Sequence, residues 1–250
     1  MILLVDVGNS RLKWACAEGT RLVETGVAEH AGEGLAGCLE ELAKVKKPRR
    51  VVVSNVAGEA SGAVLTGWTL GRWGLTPELV VARETLCGVR NAYTEPGRLG
   101  PDRWAALIGA WSRYRGAACV VDCGTAVTID VLDGEGTHLG GLILPGIEMM
   151  RAALVAGTRG VRPVGEAEVA LLARNTAGAV IGGTLYALVA AVDRIAEDVA
   201  AETGESPALV ITGGDAKVLL PLLAGPWTHQ PELVLQGLAV IAAEVMEAEA

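Results

Sequence analysis

An apolar run ending in Asp-x-Gly-polar-small occurs twice in this chain, as Leu3-Leu4-Val5-Asp6-Val7-Gly8-Asn9-Ser10 and as Cys119-Val120-Val121-Asp122-Cys123-Gly124-Thr125-Ala126. A second strand-like run follows each copy at once, over 11–17 in the first and 127–132 in the second. Each copy therefore reads as strand, tight glycine turn, strand, with a carboxylate at the bend. The two aspartates, at positions 6 and 122, lie 116 apart in a chain of 250 residues. Self-similarity at that offset predicts a duplicated domain, divided into 1–110 and 111–250.

The remaining pattern agrees with such a division. Further apolar runs of strand length, rich in Val and Ile, occupy 51–56 and 209–212. Helical spacing separates them: Leu35, Leu39 and Leu42 within 34–45, Leu107, Ile108 and Trp111 within 103–114, and a long alanine-rich segment over 179–200. Alternation of this kind predicts an α/β fold of sheets flanked by helices.

With 51% hydrophobic and 20% charged residues the chain can form a continuous core, and its net charge of −8 argues against a nucleic-acid partner. The basic cluster 44–50 reads as a solvated helix end before a strand. The opening Met-Ile-Leu-Leu-Val-Asp has no basic leader, and no apolar run approaches spanning length without polar interruption. A cytoplasmic protein without a membrane segment is expected, with a loose end from Glu244 onward. Five scattered cysteines read as reduced thiols. Cys119 and Cys123 share one face of a strand, but no His or second pair completes a zinc site. His30, His138 and His229 each sit among polar neighbours and read as surface residues.

Glycine at a hairpin bend leaves no side chain in the way, so backbone N–H groups can close on phosphate oxygens. Asn9, Ser10, Thr125 and Thr128 add further donors. Asp6 would repel a phosphate on its own, and makes sense as a direct or water-mediated ligand of the Mg²⁺ that accompanies a nucleotide. Ordinary Asp-Gly turns are the alternative for either copy alone; two copies in register favour phosphate binding. A Walker-type nucleotide site is excluded, because no Gly-x-x-x-x-Gly-Lys-Ser/Thr occurs.

The two turns resemble the phosphate-binding hairpins of the acetate-kinase, sugar-kinase and actin superfamily. Within it, the chain is similar to type III pantothenate kinases in Asp6-Val7-Gly8-Asn9-Ser10, Gly100-Pro101-Asp102-Arg103, Asp122-Cys123-Gly124-Thr125-Ala126-Val127-Thr128-Ile129-Asp130, Gly140-Gly141-Leu142-Ile143-Leu144-Pro145-Gly146, Arg174-Asn175-Thr176 and Ile211-Thr212-Gly213-Gly214-Asp215. The likeness spans almost the whole chain. Arg11 to Trp14 resembles the Asn-Ser-Arg-x-Lys-Trp branch of that family. Ser10 stands where Thr is frequent, and Cys123 where an aromatic or apolar residue is often seen.

The resemblance implies duplicated actin-like (ribonuclease H-like) domains and a reaction. The γ-phosphoryl group of ATP passes to the primary hydroxyl of pantothenate, giving 4'-phosphopantothenate, the first step towards coenzyme A. It implies a first phosphate loop of Asp6, Val7, Gly8, Asn9, Ser10, Arg11, Leu12 and Lys13, with Lys13 facing the β- or γ-phosphate, and a second of Gly124, Thr125 and Ala126. Asp122 matches the ligand of a monovalent cation, K⁺ or NH₄⁺, and 212–215 the loop near adenosine. Tyr93, Gly100, Pro101, Asp102, Arg103 and Thr176 match the pantothenate side, and a homodimer is implied.

Asp102 is then the candidate general base, since the attacking hydroxyl must give up its proton. The same Gly-Pro-Asp-Arg also reads as a helix start whose Asp accepts a first-turn N–H. Arg103 can grip a carboxylate bidentately, or form a surface ion pair. Another small-molecule kinase of the superfamily would have no reason to keep 100–103, and a non-catalytic nucleotide-binding regulator would not require Asp102.

Overall fold

The structure, a computed structural model, describes residues 1–30, 34–161 and 169–248. In chain order, β1 (Ile2–Val7), β2 (Arg11–Glu18) and β3 (Arg21–Glu29) lead through the short α1 (Leu39–Leu42) to β4 (Val51–Asn55), α2 (Glu59–Trp73) and β5 (Glu78–Leu79). A small hairpin, β6 (Thr85–Leu86) and β7 (Val89–Arg90), precedes α3 (Pro101–Tyr114). Next come β8 (Ala118–Cys123), β9 (Ala126–Leu132), β10 (His138–Pro145), α4 (Ile147–Gly157) and α5 (Thr176–Thr203). They are followed by β11 (Ala208–Thr212), α6 (Ala216–Leu219), β12 (Thr228–His229) and α7 (Leu233–Ala248).

Two sheets carry the same plan: β3-β2-β1-β4-β5 in one and β10-β9-β8-β11-β12 in the other. In both, the hairpin partner is antiparallel (β1–β2, β8–β9) and the next two neighbours are parallel (β1–β4–β5, β8–β11–β12). The register repeats too. Asp6 lies opposite Lys13 on one side and Ser54 on the other, as Asp122 lies opposite Thr128 and Thr212. This is the duplicated actin-like architecture, each copy a mixed sheet flanked by helices.

The chain divides into two compact units. The first holds Met1–Gly116, Gly134–Gly140 and the stretch from Glu232 onward; the second holds Ala117–Asp133 and Gly141–Pro231. The halves read from the sequence, 1–110 and 111–250, are contiguous, whereas these units are not. The physical reasons are α7, which packs on α3 and β1, and residues Gly134–Gly140, which pair with the β6–β7 hairpin. Gly109 lies against the Leu233 carbonyl and Gly237 against that of Ala105, so these two helices approach backbone to backbone.

In the first unit β1 is buried along its length, as an all-apolar central strand should be. Leu3, Val5 and Val7 join Leu12, Trp14, Leu35, Leu39 and Leu42 in its core. The leucine spacing of 34–45 lines that core even though the segment folds as a 3₁₀ turn, Leu35–Cys38, before α1. In the second unit Cys119, Val121 and Cys123 of β8 meet Leu185, Leu188, Val189 and Val192 of α5. Strand alternation therefore turns Asp6 and Asp122 to the opposite face of each sheet.

Three expectations need correction. His138 is fully buried rather than on the surface, because the polar residues beside it in sequence are not its neighbours in space. Helix α7 continues through Ala248 where a loose end was expected; residues 249–250 lie outside the described residues. One helix, α5, is after all long and apolar enough to cross a membrane. Its Leu185, Leu188, Val189, Val192 and Ala196 are core residues of the second unit, which accounts for that composition.

Burial pushes the Cys119 thiol from its ordinary 9.0 up to about 12, with the Asp130 carboxylate adding to the effect. A thiol pKa raised on folding contributes stability that is complete below pH 9 and is lost as pH climbs towards 12. Chemical denaturation midpoints should fall over that window, and the fall should be shallower in Cys119→Ala. An equally steep fall in the variant would remove Cys119 from the account.

Candidate active site

The first turn joins β1 to β2. The Gly8 N–H donates to the Arg11 carbonyl at 3.0 Å, and a side-chain carbon on Gly8 would stand only 3.2 Å from that oxygen. His30 closes the turn from outside. Its backbone N–H donates to the Ser10 carbonyl at 3.1 Å, and its ring Nε2 lies 2.8 Å from the Gly8 carbonyl, as donor in the Nε2–H tautomer. Both carbonyls are thereby occupied, which suits a turn meant to receive anions. Val7 and Leu12 point into the core, leaving only their backbone groups for a ligand. Arg11 pairs with Glu29 at 3.3 Å, and Lys13 lies on the same sheet face as Asp6, its register partner.

The second turn joins β8 to β9, with the Gly124 N–H donating to the Ala126 carbonyl at 3.0 Å. The motif segments 140–146 and 212–215 clasp it. The Gly146 N–H donates to the Thr125 carbonyl at 3.0 Å, and the Asp215 N–H donates to the Cys123 carbonyl at 2.9 Å. Gly213, at φ +93°, sits so close that any side-chain carbon there would run into the Cys123 carbonyl and Asp122 Oδ1.

Oxygen donors suited to a hard cation accompany both aspartates. Thr212, opposite Asp122, and Ser54, opposite Asp6, are fully buried, and neither hydroxyl has a hydrogen-bond partner among the described residues. Each carboxylate thus has an orphaned hydroxyl beside it in register, and the residues fit a bound cation. No group of three or more His, Cys, Asp or Glu that could hold a metal occurs among the described residues. A cation here would be held by single carboxylates with hydroxyl, backbone and phosphate oxygens.

The start of α3 gathers the first-unit residues that the resemblance matches to the pantothenate side. Pro101 opens the helix and Asp102 stands in its first turn, half-buried, with Oδ1 accepting from the Arg103 N–H at 2.8 Å. That carboxylate folds back over Gly100, where a side-chain carbon would come within 2.6 Å of Oδ1. The helix-start reading of Asp102 is thus met by the Arg103 N–H. Arg103 is buried at 7% exposure, which removes the surface ion pair as its role. Its Nη1 donates to the Tyr93 hydroxyl at 2.9 Å, and its guanidinium lies 5.8 Å from the Tyr93 ring centre. Thr176 stands exposed at the first position of α5 in the second unit, next to Asn175, whose Oδ1 caps that helix by accepting from the Gly178 N–H at 2.7 Å.

Sequence reasoning missed the contacts of His30 and His138, the Ser54 hydroxyl, and the place of the Thr212 hydroxyl beside Asp122. The hydroxyls could have been found only by aligning β4 with β11. No local pattern marks the histidines.

A family model described as type III pantothenate kinase matches residues 2–198. The chain belongs to the type III pantothenate kinase family. A type III pantothenate kinase of Nitrosococcus oceani is 45% identical over 249 residues, covering 97% of this chain and 94% of that protein. One from Aromatoleum aromaticum is 41% identical over 244 residues, with 98% of both covered. Among solved structures, component A of the (R)-2-hydroxyglutaryl-CoA dehydratase of Acidaminococcus fermentans aligns with a TM-score of 0.57 at 15% identity, covering 100% of this chain and 99% of that one. That last likeness carries the fold alone. Segments 100–103 and 211–215 build the α3 start and part of the clasp of the second turn.

Proposed function

We propose that the chain phosphorylates pantothenate with ATP to give 4'-phosphopantothenate, the first step of coenzyme A biosynthesis. The observation that carries this reading beyond membership of the family is the grouping of Asp102, Arg103 and Tyr93 at the start of α3. A carboxylate for the proton of an alcohol stands one residue from a guanidinium suited to the acceptor's own carboxylate.

Asp6, Gly8, Asn9 and Ser10 form the first phosphate loop, with Val7, Arg11 and Leu12 contributing backbone, and Gly124, Thr125 and Ala126 form the second. Lys13 meets the charge of the β- or γ-phosphate. Asp6 takes Mg²⁺, directly or through water, and Mg²⁺ offsets the phosphate charge. Asp122, with the Thr212 hydroxyl beside it, holds a monovalent cation, K⁺ or NH₄⁺, which adds positive charge near the second loop. Tyr93, Gly100, Pro101, Arg103 and Thr176 orient the acceptor. Its primary hydroxyl oxygen bonds to the γ-phosphorus, the bond from that phosphorus to ADP breaks, and the proton passes to Asp102. A loose transition state lets that proton move late, so a carboxylate of ordinary basicity suffices.

The protein works in the cytoplasm as a homodimer. Its cysteines are free thiols, and Leu142, Ile143, Met149 and Leu154 of the second unit are exposed apolar side chains that a second copy would cover. In the test, purified protein is assayed with pantothenate, ATP, Mg²⁺ and K⁺, leaving out one component at a time. Turnover is expected only with all four, with NH₄⁺ able to replace K⁺. Nucleotide binding without turnover would favour the non-catalytic regulator.

A further inference from the structure

After β9 the chain leaves the second unit, and residues Gly134–Gly140 belong to the first. The excursion is fastened to the β6–β7 hairpin. The Arg90 N–H donates to the Gly136 carbonyl at 3.0 Å, and Arg90 pairs with Thr137 in an isolated bridge. Gly136, at φ +85°, lies against the Gly88 carbonyl and the Trp111 ring, where no side chain would fit. This anchoring delivers His138 into the interior at 0% exposure. Its ring stacks on Tyr93, with centroids 6.0 Å apart and planes inclined at 21°.

Tyr93 lies outside regular structure, in the loop between β7 and α3, so contacts from other segments must fix its ring. Here three contacts fix it. Asn91 Oδ1 accepts its backbone N–H at 3.0 Å, Arg103 donates to its hydroxyl, and His138 stacks on its ring. The first two hold its ends, and the plane is held by the stacked His138 ring together with the Arg103 guanidinium, 5.8 Å from the ring centre.

We propose that His138 is a positioning residue for the acceptor, fixing the plane of the Tyr93 ring against which pantothenate binds. The inference rests on the reading of Tyr93 and Arg103 as pantothenate contacts. A ring already immobilised in the free protein does not have to be ordered by the substrate, so affinity for the acceptor rises while nucleotide affinity is untouched.

The test compares His138→Leu, which fills much of the volume without a ring, with His138→Phe, which keeps a ring to stack. Steady-state KM is measured for each substrate with the other saturating. His138→Leu should raise KM for pantothenate about 3–10-fold and leave KM for ATP within about twofold, the range expected for one freed side chain. His138→Phe should return KM for pantothenate to within about twofold of wild type. A purely structural histidine would lower melting temperature or active fraction without separating the two KM values. Unchanged pantothenate KM in His138→Leu, equal shifts in both KM values, or a Phe variant no better than Leu would each overturn the proposal. Wild-type protein inert on pantothenate would overturn the underlying reading and this inference with it, so the two failures are distinguishable.

Discussion

Asp102→Asn is expected to fold, bind ATP and lose turnover by about 10²–10⁴-fold, the range for removing a positioned general base. Folding should survive because the amide oxygen can still accept the Arg103 N–H that Asp102 Oδ1 accepts at 2.8 Å, and the side chain keeps its size over Gly100. The loss should fall on kcat, with KM for pantothenate changing little, because Arg103 and Tyr93 are left in contact. Steady-state kinetics beside a thermal melt separate the two. An Asn variant with wild-type kcat removes Asp102 as the base, and one that melts many degrees lower makes it a helix-start residue first.

Gly213→Ala should be the most damaging single-methyl change near the nucleotide loops. At φ +93° any other residue is strained, and the new carbon would meet the Cys123 carbonyl and the Asp122 carboxylate. The strain and the overpacking together should destabilise the fold by about 2–4 kcal/mol. Relief requires the 212–215 loop to move off the second turn, so the Asp215 N–H would let go of the Cys123 carbonyl. KM for ATP should therefore rise more than KM for pantothenate. Gly71→Ala is the control: it lies within α2 with nothing within 4 Å, and should be neutral or stabilising by up to about 1 kcal/mol. Equal melting temperatures for the two variants would show that Gly213 is not under the constraint described.

Much of the fold is legible because its central strands carry no ambiguity. β1 and β8 are continuous apolar runs, each closed by the same Asp-x-Gly, and their common register with β2 and β9 turns that repeat into a duplicated sheet. What escapes the sequence depends on tertiary contacts. Helix α7 carries Leu233, Val234, Leu235, Leu238, Ala239 and Ile241, all buried, so it has no polar stripe to give a helical period. Its return to α3, with that of Gly134–Gly140, is why the first unit is discontinuous. β3, with mostly exposed side chains, carries too weak an alternation to be told from a loop.

The site divides along the same line. Asp6, Gly8, Asp122 and Gly124 are legible because each Asp-x-Gly turn lies within a few consecutive residues. Asp102, Arg103 and Tyr93 are legible through family likeness, and their mutual contact is a result of folding. His30 reaches Gly8 across 22 residues, and His138 reaches Tyr93 only because the chain doubles back to the first unit. Polar sequence neighbours made both look solvated.

The most direct test of the central claim offers the purified chain a panel of primary alcohols, pantothenate among other vitamins and sugars, with ATP, Mg²⁺ and K⁺, and identifies the product by mass. The account predicts a product one phosphoryl group heavier than pantothenate, formed with one ADP per turnover, and no comparable product from the others. Turnover of a different alcohol, with pantothenate untouched under either K⁺ or NH₄⁺, would contradict it.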